Sequence, residues 1–431
     1  MSVMWHEISG DDNKTPAVDA ALPEKTALIG RIGLLFLSSG AGAFRVRAAM
    51  NKVSRALGVT CNAEIGLKSV NYTCIEGGET FTDCLSGVST GVNTDRIHHL
   101  EYLCDSIGEK VDSTSVGEFH LILDDIEKKK GNYPLIISVL AAGMACAAFS
   151  FLLGGGLFDM ICTFFAAALG FFVRKISISR HHTFFLHTSE AVLTACFTYI
   201  GIAKLLETVL SAPTGFQAGY ICSMLFVIPG FPLVTGGIDL AKLDIRSGIE
   251  RITYALLIIC VATMTAAFST LALKFSPAEF TGGEMPAYIL FMLRFVMSFA
   301  GVFGFSIIFN SPVRMASLAG IIGAVANSMR FLLADHVTSP ATAAFFAALA
   351  AGLMASAIKR FIGYPRITIT VPSIVIMVPG MLMYKGIYFF ASGNYAEGFP
   401  FICRTALVVT ALPLGLVFAR ILTDRNFRKS S

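Results

Sequence analysis

The chain has 431 residues, of which 55% are hydrophobic and only 14% charged, with a net charge of +4 and a mean hydropathy of +0.69. Soluble domains carry about 25% charged residues, so an ordinary soluble enzyme is excluded over most of the length. The +4 is a sum of opposites, because residues 1–133 hold 13 of the 33 basic and 18 of the 29 acidic residues, and it implies no nucleic-acid partner.

Met1–Pro23 is polar and lacks the apolar core of a signal peptide, so the first spanning segment is expected to direct insertion. Glu24–Ser39 and Ala43–Leu57 then predict two helices joined by Gly40-Ala41-Gly42, with Leu28, Ile32, Leu35 and Phe36 at helical spacing. Val59–Ile65, Leu67–Ile75 and Thr80–Leu85 alternate and carry β-branched residues, which predicts strands, with Gly77-Gly78 as a hairpin turn. Thr94–Ile107 and Val116–Lys130 return to helical periodicity. The product is a small cytosolic α+β domain, residues 1–133, without a catalytic constellation. His98, His99 and His120 lack the spacing of a zinc site and are expected on exposed helix faces. Gly40-Ala41-Gly42 follows a helix and lacks a Lys-Ser/Thr ending, so it predicts a tight turn and no phosphate cradle. The ten scattered cysteines form no CxxC pair and suit reduced thiols. No metal or cofactor is expected.

Beyond Tyr133 lie ten apolar stretches about long enough to cross a bilayer: Leu135–Leu153, Leu157–Val173, Thr183–Ala203, Gly219–Leu240, Tyr254–Leu273, Ala287–Phe309, Val313–Leu333, Ala341–Ile358, Ile367–Phe390 and Gly398–Ile421. Lys128, Lys129 and Lys130 precede the first. If that side is cytoplasmic, so are Arg174, Lys175, Arg180, Lys242, Arg246, Arg251, Arg314, Lys359, Arg360, Arg366, Arg420, Arg425, Arg428 and Lys429. The opposite loops Gly154–Gly156, Ser211–Ala218, Ser276–Pro286 and Ala334–Pro340 contain no Lys or Arg. This positive-inside pattern predicts a multi-pass protein of the cytoplasmic (inner) membrane with both termini cytoplasmic.

The fourth span contains Pro229-Gly230-Phe231-Pro232 near its middle, and the ninth contains Pro379-Gly380. Five spans separate them, so the expected halves, residues 134–275 and 285–422, would be inserted in opposite senses. Paired breaks of this kind mark the substrate site of a transporter built from inverted repeats. Pro229, Gly230, Pro232, Pro379 and Gly380 are therefore candidate substrate-binding residues. Two ordinary proline kinks are the alternative. Thr163-Phe164-Phe165-Ala166-Ala167 echoes Ala344-Phe345-Phe346-Ala347-Ala348, but in the second and eighth spans, out of register.

Charge within a span is costly and usually faces a cavity or a partner. Glu190 and Arg294 lie about two turns into their spans, while Asp159, Asp239, Arg330, Lys385 and Arg404 lie nearer span ends. Arg330 and Lys385 suit snorkelling. Arg294 and Arg404 are candidate carboxylate partners; Glu190, Asp159 and Asp239 are candidate proton carriers. Convergence of the four second-half cations would create a positive lumen.

Five ordered motifs resemble the threonine/serine exporter family. They are Ser39-Gly40-Ala41-Gly42-Ala43-Phe44-Arg45-Val46, then Gly155-Gly156-Leu157-Phe158-Asp159 with Thr163-Phe164-Phe165-Ala166, then Pro229-Gly230-Phe231-Pro232-Leu233 with Asp239-Leu240 and Gly248-Ile249-Glu250-Arg251, then Asn310-Ser311-Pro312-Val313-Arg314, and Val378-Pro379-Gly380. The resemblance spans nearly the whole chain and implies proton-driven export of threonine and serine. In some bacteria the C-terminal half is a separate chain, and such relatives are associated with dicarboxylate export. The expected molecule is thus an α-helical polytopic membrane protein with about ten transmembrane helices in two inverted five-helix halves, plus the cytosolic domain. It exports a small carboxylated metabolite against protons, in a lipid bilayer, and a homo-oligomer is compatible with this. A succinate-like dicarboxylate is the alternative substrate; a membrane-anchored hydrolase or a sensor is the distant alternative class.

Overall fold

Apolar spacing and turn chemistry set the N-terminal elements close to their expected limits. The structure, a computed structural model, describes Trp5 and residues 15–86, 91–211, 216–275 and 285–428. It forms two units: residues 1–131 with 238–251, and residues 132–237 with 252–431.

In the first unit, helix α1 (Leu22–Ser38) starts two residues early because Pro23 fits a first turn, where its missing N–H is no loss. Gly40-Ala41-Gly42 leads into α2 (Ala43–Ala56). Strands β1 (Thr60–Ile65), β2 (Ser69–Glu76) and β3 (Glu79–Ser86) form an antiparallel sheet in that order. Gly77 and Gly78 close the hairpin at φ 59° and 91°, which both central residues of a type I′ turn require. Val70, Tyr72 and Cys74 alternate onto the buried face of β2. The Tyr72 hydroxyl fills the space where a side chain at Gly30 of α1 would sit. Helix α3 (Thr94–Ser106) is capped by Asn93, which accepts from Arg96 N at 3.0 Å. Helix α4 (Val116–Lys128) begins with a Ser115–Glu118 capping box.

Besides Arg251, described below, two cations are buried in this unit among the described residues, each with a partner. Lys25 Nζ meets Glu76 at 2.5 Å, and Arg31 bridges Asp124 and Glu127. The expectation that all three histidines are exposed fails at His120. It lies on the buried face of α4 with Val116, Phe119 and Leu123, and its carbonyl accepts from Arg31 Nη1 at 2.9 Å. His98 and His99 are half-buried on α3. Burial, and then the neighbouring His99, hold His98 below the usual histidine range. Among the described residues, no three His, Cys, Asp or Glu side chains gather to hold a metal.

The second unit contains the helices α5 (Leu135–Leu152), α6 (Leu157–Ser179), α7 (Phe184–Leu210), α8 (Gln217–Cys222) and the start of α9 (Gly230–Ala241). It continues with most of α10 (Ile245–Ala272), then α11 (Ala287–Ile308), α12 (Val313–His336), α13 (Pro340–Ile362), α14 (Arg366–Val375), α15 (Gly380–Ala391) and α16 (Tyr395–Thr423). Among the described residues eight helices are long and apolar enough to cross a membrane, or up to ten spans if each of two bent pairs counts as one. The chain is a polytopic α-helical membrane protein. Helix α10 starts nine residues before the expected Tyr254, because its first turns carry Arg246, Glu250 and Arg251 and are hidden from a hydropathy window. Of the outer loops expected from sequence, residues 212–215 and 276–284 lie outside the described residues.

Helices α5–α7 have 18, 23 and 27 residues and α11–α13 have 22, 24 and 23, so the middle members match in length. The joints recur. Gly155 N donates to Ser150 O at 2.7 Å, and Ser311 N donates to Ser306 O at 2.9 Å, 156 residues later in each case. Gly154 and Asn310, at that same offset, both take positive φ. Helices α5 and α11 pack with small residues at the contact. A Cβ on Gly304 would meet Ala145 Cβ at 2.9 Å, and one on Gly301 would meet Ala148 Cβ at 3.7 Å. Phe149 and Phe305 meet edge to face, their centroids 5.7 Å apart.

Candidate functional site

Both proline–glycine pairs interrupt a helix, and they do so in the same way. At the first, α8 passes through a short 3₁₀ turn and bends by 68° into α9; at the second, α14 bends by 55° into α15. Ile228 N donates to Leu225 O and Val378 N to Val375 O, at 3.0 and 3.1 Å. Gly230 N then donates to Ile228 O and Gly380 N to Val378 O, at 2.9 and 2.8 Å, the span of a γ-turn. Helical bonding resumes from Leu233 N to Pro229 O and from Met383 N to Pro379 O. Pro232 falls in the first turn of α9, where a proline is tolerated.

The two breaks also pack on one another. A Cβ on Gly230 would meet Val375 Cγ1 at 3.2 Å and Val378 Cγ2 at 3.5 Å. A Cβ on Gly380 would meet Leu225 Cδ2 at 2.7 Å and Ile228 Cγ1 at 3.9 Å. Each glycine thus faces the residues five and two positions before the other. Pro229, Gly230, Pro379 and Gly380 are brought together, with Pro232 one turn into α9.

The predicted cations are not brought there. Arg294 Nη1 pairs with Asp335 Oδ2 at 2.6 Å and lies 4.3 Å above the Phe331 ring. Arg330 covers the same ring at 4.5 Å, and its Nε donates to Asn327 Oδ1 at 2.8 Å. Lys385 lies 5.7 Å from the centre of the Phe401 ring. Arg404 is exposed on α16. Two of the four cations therefore share one aromatic ring and the other two sit on different helices.

The carboxylates lie in three separate places. Asp159, near the start of α6, is buried and accepts from the Tyr199 hydroxyl; a Cβ on Gly219 would meet its carboxyl carbon at 2.7 Å. Glu190 of α7 accepts from Ser177 Oγ at 2.5 Å and lies 3.0 Å from His182 Nδ1, with 30% of its side chain exposed. Ser177 is 18 residues along α6 from Asp159, about 27 Å at helical rise, so these two acids form no direct relay.

Asp239 belongs to the first unit, at the joint between α9 and α10. Its Oδ2 accepts from Ala43 N at 3.1 Å and Ser247 Oγ at 3.0 Å, and lies 3.3 Å from Arg251 Nε. Arg251 Nη2 donates to Ala41 O at 2.7 Å. Around this core, Arg47 pairs with Asp244 at 2.7 Å, Leu67 N donates to Glu250 at 2.5 Å, and Arg246 meets Glu64 at 2.8 Å. Gly42 admits the carboxylate, since a Cβ there would lie 2.7 Å from Asp239 Oδ1. The Gly-Ala-Gly turn is thus an interhelical turn, as expected, and also the seat of a buried ion pair.

One residue at the breaks was not singled out from sequence. Arg174, read only as a cytoplasmic charge, sends Nη1 to Phe226 O at 3.0 Å, in the 3₁₀ turn before Pro229. The available signal was register: Arg174 follows Gly156 by 18 residues, as Arg330 follows Pro312.

Residues 27–273 match the family model described as "Putative threonine/serine exporter", and residues 294–422 match "Threonine/Serine exporter, ThrE". A protein of Escherichia coli (strain K12) named "Probable succinate transporter subunit YjjP" is 27% identical over 56% of this chain and 93% of its own. Its namesake in Klebsiella aerogenes is 27% identical over 52% of this chain and 85% of its own. A "Threonine/serine exporter" of Corynebacterium glutamicum is 21% identical over 92% of this chain and 82% of its own. No solved structure matches.

Proposed function

Because the chain belongs to the threonine/serine exporter family, a family of transporters and not of enzymes, we propose that it exports threonine or serine across the cytoplasmic membrane in exchange for protons. The observation that carries this is the reciprocal crossing of the two broken helices. If the bent pairs each count as one span, five spans make a half, and an odd number turns the second half over in the membrane. The matched joints at an offset of 156 residues and the cross-contacts Gly304–Ala145 and Gly301–Ala148 support halves related by a two-fold axis. In such transporters the substrate binds where the interrupted helices meet, and the halves rock about it. Loop charge supports cytoplasmic termini.

An amino acid brings one carboxylate and one ammonium; a dicarboxylate brings two negative charges and requires two cations in a low-dielectric site. Arg294 is already paired with Asp335, which favours the amino acid. The likeness to proteins named as succinate transporter subunits supports the dicarboxylate as the second reading. Counterflow of labelled threonine, serine and succinate in proteoliposomes separates them. Exchange of succinate without threonine would replace the first reading with the second, and exchange of none would end both.

Glu190 is the proposed proton carrier. It is partly exposed, faces His182 and Ser177, and is not committed to a buried ion pair. Asp239, held by Arg251, Ser247 and Ala43 N, serves as an anchor in this reading. Glu190→Gln is expected to preserve threonine counterflow, which needs no net proton movement, and to abolish export driven by an imposed pH gradient. Equal loss of both would move the proton site elsewhere.

A further inference from the structure

The second helix of each half carries an arginine at the same place, Arg174 in α6 and Arg330 in α12, each 18 residues beyond the residue that caps the helix. Their surroundings differ at one position. One turn earlier stands Phe171 in α6 and Asn327 in α12.

Asn327, fully buried, accepts from Arg330 Nε at 2.8 Å and donates to Ser298 Oγ at 2.8 Å. The Arg330 guanidinium is thereby tied to its own helix and laid on Phe331. Phe171 offers Arg174 no such bond. It turns its ring edge to Phe226, 5.9 Å between centroids, and Gly170 lets that ring approach, since a Cβ there would meet Phe226 Cζ at 2.9 Å. Arg174 therefore reaches the break, where Nη1 donates to Phe226 O. Its Nε is buried without a hydrogen-bond partner among the described residues, and no carboxylate of these lies within ion-pair distance. A guanidinium has five donors in a planar fork that matches a carboxylate. Arg174 as a whole is half-buried, and a neutral carbonyl leaves its charge uncompensated, which is costly to the extent that water is excluded.

We propose that Arg174, which donates to the Phe226 carbonyl, binds the substrate's carboxylate at the first break. Arg330, its counterpart, is excluded from that task by Asn327. The site then carries one cation for one carboxylate. This inference rests on the transport reading of the same breaks, and the test separates the two.

The experiment is counterflow by the full-length protein in proteoliposomes, comparing threonine with threonine amide, which lacks the carboxylate charge. Arg174→Gln is expected to raise the half-saturating threonine concentration about 30-fold, as loss of a charge-assisted bond would, and to erase the preference for threonine over its amide. Arg174→Lys keeps part of that preference, and Arg330→Gln keeps all of it. Phe171→Asn retains every charge and installs the second-half arrangement, so it should draw Arg174 away and raise half-saturation about tenfold. If Arg174→Gln fails to insert, the Phe171→Asn result decides. Unchanged half-saturation and preference in either variant overturns the proposal, as does loss of preference in Arg330→Gln. If the wild type exchanges only succinate, the same variants are read with succinate and its monoamide. A wild type that exchanges nothing overturns the transport reading, and this inference with it.

Discussion

Gly380→Leu and Gly230→Leu are each expected to abolish transport while leaving the protein inserted and expressed. The reason is the mutual seating of the breaks. At Gly380 even a Cβ would come within 2.7 Å of Leu225 Cδ2, and at Gly230 within 3.2 Å of Val375 Cγ1. A leucine adds three more carbons to each, and these must displace the other broken helix or fill the space between the two. The alanine variants grade the effect. Leu225 Cδ2 is the end of a flexible side chain and can move, whereas valine is stiff at its single side-chain torsion. Gly380→Ala should therefore be rescued by Leu225→Ala, and Gly380→Leu should not. Counterflow with quantified membrane insertion checks both. Normal transport by the two leucine variants would reduce the proline–glycine pairs to simple kinks.

The other large effect is on stability. Arg251→Ala is expected to destabilise the first unit by about 3–5 kcal/mol, the usual consequence of removing one partner of a buried ion pair. The side chains of Arg251 and Asp239 are 4% and 1% exposed, so the abandoned carboxylate cannot find water. The loss would also free the Ala41 carbonyl. Arg47→Ala, whose bond to Asp244 lies nearer solvent, should cost less than about 1 kcal/mol. The readout is built in, because Trp5 is the only tryptophan in the chain and stacks on His120 at 6.0 Å. Its fluorescence through a denaturant titration should report unfolding of this unit. Equal midpoints for wild type and Arg251→Ala would contradict the anchoring role.

The sequence and the structure agree most where one local signal decides. The Gly77-Gly78 turn, the alternation of Val70, Tyr72 and Cys74, and the Ser115–Glu118 box each act within a few residues, and those elements lie where expected. Apolar length likewise made the spans legible, and proline–glycine chemistry made the two breaks legible. What local pattern does not carry is partnership. Arg294 was the favoured carboxylate ligand because it lies deep in a span, yet its partner Asp335 is 41 residues away on the next helix. Asp239, a carboxylate near the end of a span, suits a proton carrier by residue type alone, and nothing nearby in sequence points to the amide of Ala43 or the guanidinium of Arg251 folding back on it. His120 lacks zinc-site spacing and reads as exposed, and its burial rests on partners distant in sequence, Arg31, 89 residues earlier, and Trp5. Arg174 was concealed differently. A basic residue near a cytoplasmic boundary satisfies the positive-inside pattern so completely that the pattern hides any second role.

Substrate protection at the breaks tests the central claim most directly. In a protein stripped of its ten native cysteines, Val378→Cys places one thiol where Gly230 faces the second break. Its labelling by a small neutral thiol reagent should slow as threonine is added, with half-protection at the concentration that half-saturates counterflow. A labelling rate indifferent to saturating threonine, serine and succinate, in protein that still exchanges one of them, would place the substrate somewhere other than the crossing of the two broken helices.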